Sequence, residues 1–300
     1  MADIVGIGAN VFDTLYILDK YPTEDTKNCT YTVKVSGGGP CATGLVAASK
    51  LGADCAFIGN LSDDNGGKFL KEDFEKYRVN TDLIKIIPGY DTFCSCIWLA
   101  NDTASRTCVF NRGNVPPTDI DDDAKEEIAN AEILMVDGND MNSAIEGAQI
   151  AKENGTKILY DAGGLYEGVE NLLPYADILI PSEEFALCHT KAKTAEKAAK
   201  MLFEKYSPEI VVITQGKNGG IIYDGNSVEK YPAFLVNAVD SNGSGDVFHG
   251  AFAYALTKKM SYKDACIFSS AVSALKCTKV GAREGAPTLT EVNEFLKERL

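Results

Sequence analysis

The chain has 300 residues, 45% hydrophobic and 24% charged, a composition that supports a folded core and excludes disorder, collagen and coiled coil. Its 43 acidic and 29 basic side chains give a formal charge of −14 with both signs interleaved, which makes nucleic acid and anionic membranes poor partners. No apolar run approaches the roughly 20 residues that cross a bilayer, and Met1-Ala2-Asp3-Ile4-Val5 has no basic segment ahead of its apolar run, so the expectation is a cytoplasmic protein that opens with a strand.

In chain order, short apolar runs predict strands at residues 3–8, 55–59, 132–137, 157–161, 178–180, 210–214 and 220–223. Stretches of helical period predict amphipathic helices at 40–51, 66–77, 143–154, 194–206 and 246–258. Strands alternating with helices predict an α/β fold with a sheet flanked by helices. Two strand-rich segments, 26–35 and 91–111, interrupt the rhythm. They are assigned to a small β-sheet lid drawn from about residues 13–35 and 89–112 of one domain spanning 1–300. Such a sheet, inserted near the strand C-termini, would cover the place where ligands bind in doubly wound folds. Residues 114–123 read as a polar loop.

The nine cysteines include no Cys-x-x-Cys pair and read as reduced, mostly buried thiols. Cys94 and Cys96 share a strand face, but with two histidines in the chain they lack the partners of a zinc site.

Three glycine segments carry the chemical signal. In Asp240-Ser-Asn-Gly243-Ser244-Gly245-Asp246, an extended run ends in a glycine turn that feeds a helix. Free backbone N–H groups and the positive helix end then converge on one anion site. Asp246 beside that site is either a general base or a helix cap. Thr214-Gln-Gly216-Lys-Asn-Gly219 joins two strands through glycines that let a nucleotide approach the backbone, or forms a plain hairpin. Ser36-Gly37-Gly38-Gly39-Pro40 places proline at a first helical position after a run whose ordering entropy favours a site over a turn. No P-loop motif occurs, and Val11 stands where a dinucleotide fingerprint needs its third glycine. His189 has no partner nearby in sequence, and His249, one turn beyond Asp246, reads as a helix residue rather than a base.

In this order, the three segments resemble the ribokinase-like (PfkB) family of carbohydrate kinases, from the first strand to the closing Gly281-Ala-Arg-Glu-Gly-Ala-Pro-Thr288. Residues 240–246 resemble the family's D-T-x-G-A-G-D signature with serine at 241 and 244; Gly37–Ala42 resembles G-G-x-P-x-N; Thr214–Gly219 resembles T-x-G-x-x-G. The resemblance implies a ribokinase-like fold and ATP-dependent phosphorylation of a primary hydroxyl of a small sugar, most like a fructokinase or ribokinase, by direct in-line attack. It implies that Asp246 is the base, that Gly243, Ser244 and Gly245 form the anion hole, and that Thr214, Gly216 and Gly219 flank ATP. Asp13, Gly38 and Gly39 would bind sugar hydroxyls. Mg²⁺ is implied with ATP, as is a K⁺-type cation held by Asp240 in some members, together with a lid often used for homodimerisation.

Two positions depart from the pattern. Ala42 replaces the sugar-site Asn, so the hydroxyl pattern read by the pocket differs from a plain ribokinase's. Ser182-Glu183-Glu184-Phe185 replaces the N-x-x-E that organises Mg²⁺, leaving Glu183 or Glu184 as the candidate carboxylate, Glu183 first; an acidic, solvated helix start is the alternative. Lys27, Lys34, Arg106 and Arg112 fall in or beside the lid. Arg106 is the candidate contact to a phosphorylated or sulfonated sugar if two of these converge over the pocket. The reading from another class is a nucleotide- or sugar-binding sensor without turnover.

Overall fold

The strands Ile4–Ile7, Ile133–Val136 and Ile178–Pro181 are buried at every residue, as expected of parallel strands covered on both faces by helices. The computed structural model describes residues 1–30, 32–103 and 105–299. Ile4 pairs in parallel with Ile133 on one side and Cys55 on the other. Among the described residues the main sheet has nine strands, in the order Val228–Tyr231, Gly220–Tyr223, Ile210–Thr214, Ile178–Pro181, Lys157–Ala162, Ile133–Val136, Ile4–Ile7, Cys55–Phe57 and Val79–Asn80. Only the pairings made by Gly220–Tyr223 are antiparallel. Period-two alternation divides the core: Ile210 and Val212 pack on one face, Val211 and Ile213 on the other.

Pro40–Leu51 and Ser244–Thr257 cover the first face. They cross closely, because a Cβ on Gly250 would lie 1.9 Å from the Gly44 carbonyl oxygen and one on Gly44 would lie 3.2 Å from that of Asp246. Two glycines thus set how deeply the helix bearing Asp246 sits against the helix that follows the glycine run. Met141–Asn154 and Ala195–Tyr206 contribute to the second face.

A separate four-stranded sheet has the order Thr32–Gly38, Val11–Leu18, Cys94–Ala100, Ser105–Asn111. Register sorts its faces. Ser36, Asp13, Ser95 and Phe110 form one cross-strand row, while Val35, Thr14, Cys96 and Val109 form the adjacent row on the opposite face. Asp13, Ser95, Cys108 and Phe110 turn toward the strand C-termini of the main sheet and line a cleft there.

The structure corrects several expected elements. The central lid strand is Val11–Leu18, which follows directly on the first core strand and whose run Phe12-Asp-Thr-Leu-Tyr16 masks its alternation; residues 26–30 lie outside the lid strands. The strand expected over 55–59 stops at Phe57, and Gly59–Ser62 pairs with Ile84–Ile87 instead. Asp122–Asn130, Glu183–Thr190 and Tyr262–Cys277 are helices that periodicity did not reveal. The last is rich in alanine and serine and is buried over much of its circumference, so it lacks a contrasting polar face. The nine cysteines are unpaired, but only Cys41, Cys55 and Cys266 are buried, and Cys29, Cys108 and Cys188 are exposed.

Candidate active site

Each glycine of the Gly37–Gly39 run is required for a different reason. A Cβ on Gly37 would lie 2.1 Å from Arg283 Nη1, one on Gly38 would lie 2.0 Å from Asp13 Oδ2, and Gly39 has φ of 91° with the Ala9 carbonyl oxygen 2.3 Å from its would-be Cβ. The run lets Asp13 and Arg283 approach from opposite sides. Asp13 is 6% exposed and accepts a 2.6 Å hydrogen bond from the Ser95 hydroxyl. Burial pushes its carboxyl up to about 6, against the lowering effects of Ser95 and Arg283.

Asp13, Gly38, Gly39 and Arg106 line one cleft of about 450 Å³ with the Gly243–Asp246 turn. Gly243 caps the helix with φ of 74°, and its would-be Cβ lies 2.5 Å from that of Ala282. Its neighbours Ser244, Gly245 and Asp246 form the first helical turn, where backbone N–H groups have no intrahelical partners. Burial raises the Asp246 carboxyl above its ordinary range, and the nearby charges of His249 and then Arg106 oppose that rise.

Behind Asp246 stands a buried pair that the motifs did not announce. His249 Nδ1 faces the Gly245 carbonyl at 2.7 Å and Nε2 faces the Ile180 carbonyl at 3.0 Å. Carbonyl oxygens only accept, so both contacts are satisfied together when each ring nitrogen carries a proton. Asp161 Oδ2 lies 3.1 Å from Nδ1 without accepting a hydrogen bond from it. Both residues line the cleft, so His249 is more than a first-turn helix residue. His189 likewise has a partner, the Tyr206 hydroxyl at 2.8 Å, but lies away from the cleft walls.

A second cavity of about 460 Å³ adjoins the first, and Ser182, Thr214, Ser241, Ser244 and Gly245 line both. Thr214, Gly216 and Gly219 line it on one side, Ala233, Phe234 and Val236 on another. Gly219 has φ of 79°, and a Cβ there would lie 2.1 Å from the Tyr231 carbonyl oxygen. The apolar side chains of this chamber suit a flat base, and it adjoins the Gly243–Asp246 turn through Ser244 and Gly245.

Two expected metal residues are placed differently. Asp240 is fully buried and lines neither cavity. Its Oδ1 accepts from the Asn242 N–H at 2.8 Å, its Oδ2 from the Gly281 N–H at 2.8 Å, and the Lys276 ammonium lies 3.6 Å from Oδ2. A carboxylate occupied in this way does not fit a free cation. Glu183 also lies outside both cavity walls, because its carboxylate accepts from Gln215 Nε2 at 2.7 Å. Among the described residues no three His, Cys, Asp or Glu side chains gather as metal ligands. The buried Asp161 Oδ2, which has no hydrogen-bond donor, fits a Mg²⁺ that keeps phosphate oxygens and water as its principal ligands.

Of the lid cations, Arg106 and Arg112 line the cleft, whereas Lys27 and Lys34 do not. Arg112 donates to Asn139 Oδ1 at 3.0 Å and lies over the rings of Phe93, Phe110 and Tyr166.

The sequence profile described as pfkB family carbohydrate kinase matches residues 1–289. The chain belongs to that family. This carbohydrate kinase is 30% identical to Haemophilus influenzae ribokinase, with 88% of each chain covered. It is 27% identical to Clostridium botulinum 5-dehydro-2-deoxygluconokinase, covering 99% of this chain and 93% of that one. The structure of Thermotoga maritima ribokinase superposes with a TM-score of 0.83 at 25% identity, covering 99% of this kinase and all of its relative. The kinase thus transfers a phosphoryl group from ATP to a sugar on the ribokinase-like fold.

Two further residues of the kinase support the site from behind. Arg283 is fully buried; it donates to Asp73 at 2.7 Å, Asn10 at 2.7 Å and the Gly38 carbonyl at 2.6 Å. Asp137 accepts from the backbone N–H groups of Ala9, Cys41 and Asn139 at 2.8–3.0 Å. Isolated Arg and Asp residues in a sequence give no sign of such contacts; for Arg283 the one available signal is its place inside the closing Gly281–Thr288 segment.

Proposed function

We propose that the kinase phosphorylates a primary hydroxyl of a small neutral sugar held between the lid and the Gly243–Asp246 turn. The observation that carries this reading is the convergence of Asp13, Gly38, Gly39 and Asp246 on one cleft that shares its Ser244–Gly245 wall with the second chamber. Asp13 and the Gly38–Gly39 backbone orient the sugar, and Arg106 donates to its hydroxyls. Asp246 takes the proton of the attacking hydroxyl as the oxygen–phosphorus bond forms in line with the departing ADP. The N–H groups of Gly243, Ser244 and Gly245 hold the charge that develops on the transferring group. Thr214, Gly216 and Gly219 flank the nucleotide. Mg²⁺ bound with ATP would supply charge neutralisation on the phosphate oxygens, and Asp161, which lines the cleft, would be the carboxylate to hold it. The nine unpaired thiols suit the reducing cytoplasm, and the lid's outer face is the surface for a second copy.

The test is ADP release from Mg-ATP across free sugars, sugar acids, sugar phosphates, a sulfonated ketose and nucleosides, with Asp246→Asn beside the wild type. Turnover with a neutral sugar is expected, falling by about two to four orders of magnitude in the variant while ADP still binds. Near wild-type turnover in Asp246→Asn would remove the base assignment, and a preference for charged substrates would remove the neutral one.

A further inference from the structure

Lys276 has no solvent exposure although it carries an ammonium group. Burying such a charge is unfavourable unless anions and dipoles surround it. Its Nζ donates to the Asp240 carbonyl oxygen at 2.8 Å and lies 3.6 Å from Asp240 Oδ2. The surroundings are electronegative by construction. Lys276 belongs to the last turn of Tyr262–Cys277, whose negative dipole end faces residues 239–240: the Cys277 carbonyl accepts from the Val239 N–H at 2.8 Å and the Asp240 N–H at 3.2 Å. The following loop closes over the side chain, and a Cβ on Gly285 would lie 3.3 Å from Lys276 Cε.

Without a cation, this pocket would leave a fully buried carboxylate beside a helix C-terminus and a carbonyl oxygen. Asp240 begins the turn that ends in Asp246, and its Oδ1 bond to the Asn242 N–H fixes the entry to the anion hole. Ser273, on the same helix as Lys276, donates to the Ser244 carbonyl at 2.9 Å. The charge balance at Asp240 is therefore mechanically tied to the backbone that holds the transferring phosphoryl group.

We infer that Lys276 is a built-in cation: its ammonium occupies the position beside Asp240 that a monovalent metal ion would otherwise take, and it positions the Asp240–Asp246 turn without any added cation. Lys276 lines neither cavity, so it is a positioning residue acting through Asp240. The inference rests on the anion-hole role of residues 243–245, and it goes beyond that role by excluding a dependence on K⁺.

The test is a series of chloride salts at constant ionic strength, choline against potassium and ammonium, read by ADP affinity, thermal melting and turnover. The wild type is expected to change less than about twofold between choline and potassium. Lys276→Met fills the space without charge; it should lose about tenfold or more in ADP affinity and turnover in every salt. Lys276→Ala opens room for an ion, and its losses in choline should be largely recovered by potassium or ammonium. Activation of the wild type by potassium of several fold would overturn the inference, as would wild-type behaviour of Lys276→Met or an alanine variant that potassium and ammonium leave unchanged. If the alanine variant does not fold, the wild-type salt series and the methionine variant decide. The ADP and melting readouts need no sugar, so an unidentified acceptor does not affect the result.

Discussion

Asp13 is a carboxylate buried at a cost in stability. Its carboxyl is pushed up to about 6 from an ordinary 3.8, first by burial. Between those two pH values the folded protein holds a proton that the unfolded chain has lost, so this group's contribution to stability declines as pH rises from about 4 to about 6 and is flat above. A shift of this size corresponds to roughly 2–3 kcal/mol at neutral pH. Asp13→Asn should therefore melt higher than the wild type at pH 7.5, with the gap closing toward pH 4.5. Equal melting temperatures at both pH values would show that the carboxylate is not strained in place. The same group makes a kinetic prediction. A sugar hydroxyl needs the ionised acceptor, so kcat/KM for the sugar should fall as pH drops through about 6, mainly through KM. Asp13→Asn should have a raised KM and lack that limb of the profile.

At the scale of elements, two glycines of one helix separate packing from chemistry. Gly250 touches the Gly44 carbonyl oxygen across a helix crossing, whereas a Cβ on Gly245 would meet nothing within 4 Å. Gly250→Ala should push Ser244–Thr257 away from Pro40–Leu51 and destabilise the fold by about 1–3 kcal/mol or more, visible as a lower melting temperature. Gly245→Ala should leave melting unchanged, while its methyl group enters the space shared by the sugar and nucleotide cavities and lowers turnover roughly 10- to 100-fold. The reverse pattern would mean that the crossing is soft and the turn is not the phosphoryl site. The glycine segments were legible in the sequence because close approach leaves no alternative residue, and the motifs pointed to Asp246, Thr214 and Gly38, which the fold brings to the walls of adjoining cavities. Lys276, Arg283, Asp161 and His249 were not. Their roles arise from contacts across 36, 210 and 88 positions of chain, between Lys276 and Asp240, Arg283 and Asp73, and Asp161 and His249, and no local period encodes a partner that distant. The surroundings of Asp240 and Glu183 were hidden for a related reason, since each carboxylate accepts from a donor elsewhere in the fold, Gly281 and Gln215.

The whole molecule poses the question of what covers the lid. Its inner face carries Asp13 and Ser95 over the cleft, while the outer face presents Val33, Val35, Trp98 and Val109 at 51%, 45%, 37% and 63% exposure. Register places these four on one side of the sheet: Val35 shares a row with Val109 through Thr14 and Cys96, and Val33 shares the next with Trp98 through Tyr16. Both outer strands, Thr32–Gly38 and Ser105–Asn111, are edges of the sheet. A contiguous apolar face with open edges is unfavourable in water and favours association. A chain of net charge −14 would resist self-association elsewhere, so the apolar lid is the surface on which two copies approach with least repulsion. The wild type should therefore elute with the mass of a dimer in light-scattering chromatography, and Val33→Asp/Val109→Asp should elute as a monomer. Because the strand carrying Asp13 lies in the same sheet, the monomeric variant should bind sugar more weakly, with KM raised about tenfold. Its ADP affinity should stay unchanged, since Thr214 and Gly219 belong to the main sheet and its hairpin turn. A monomeric wild type, or a variant that loses sugar and nucleotide affinity alike, would remove the lid from assembly and leave its outer face without a function.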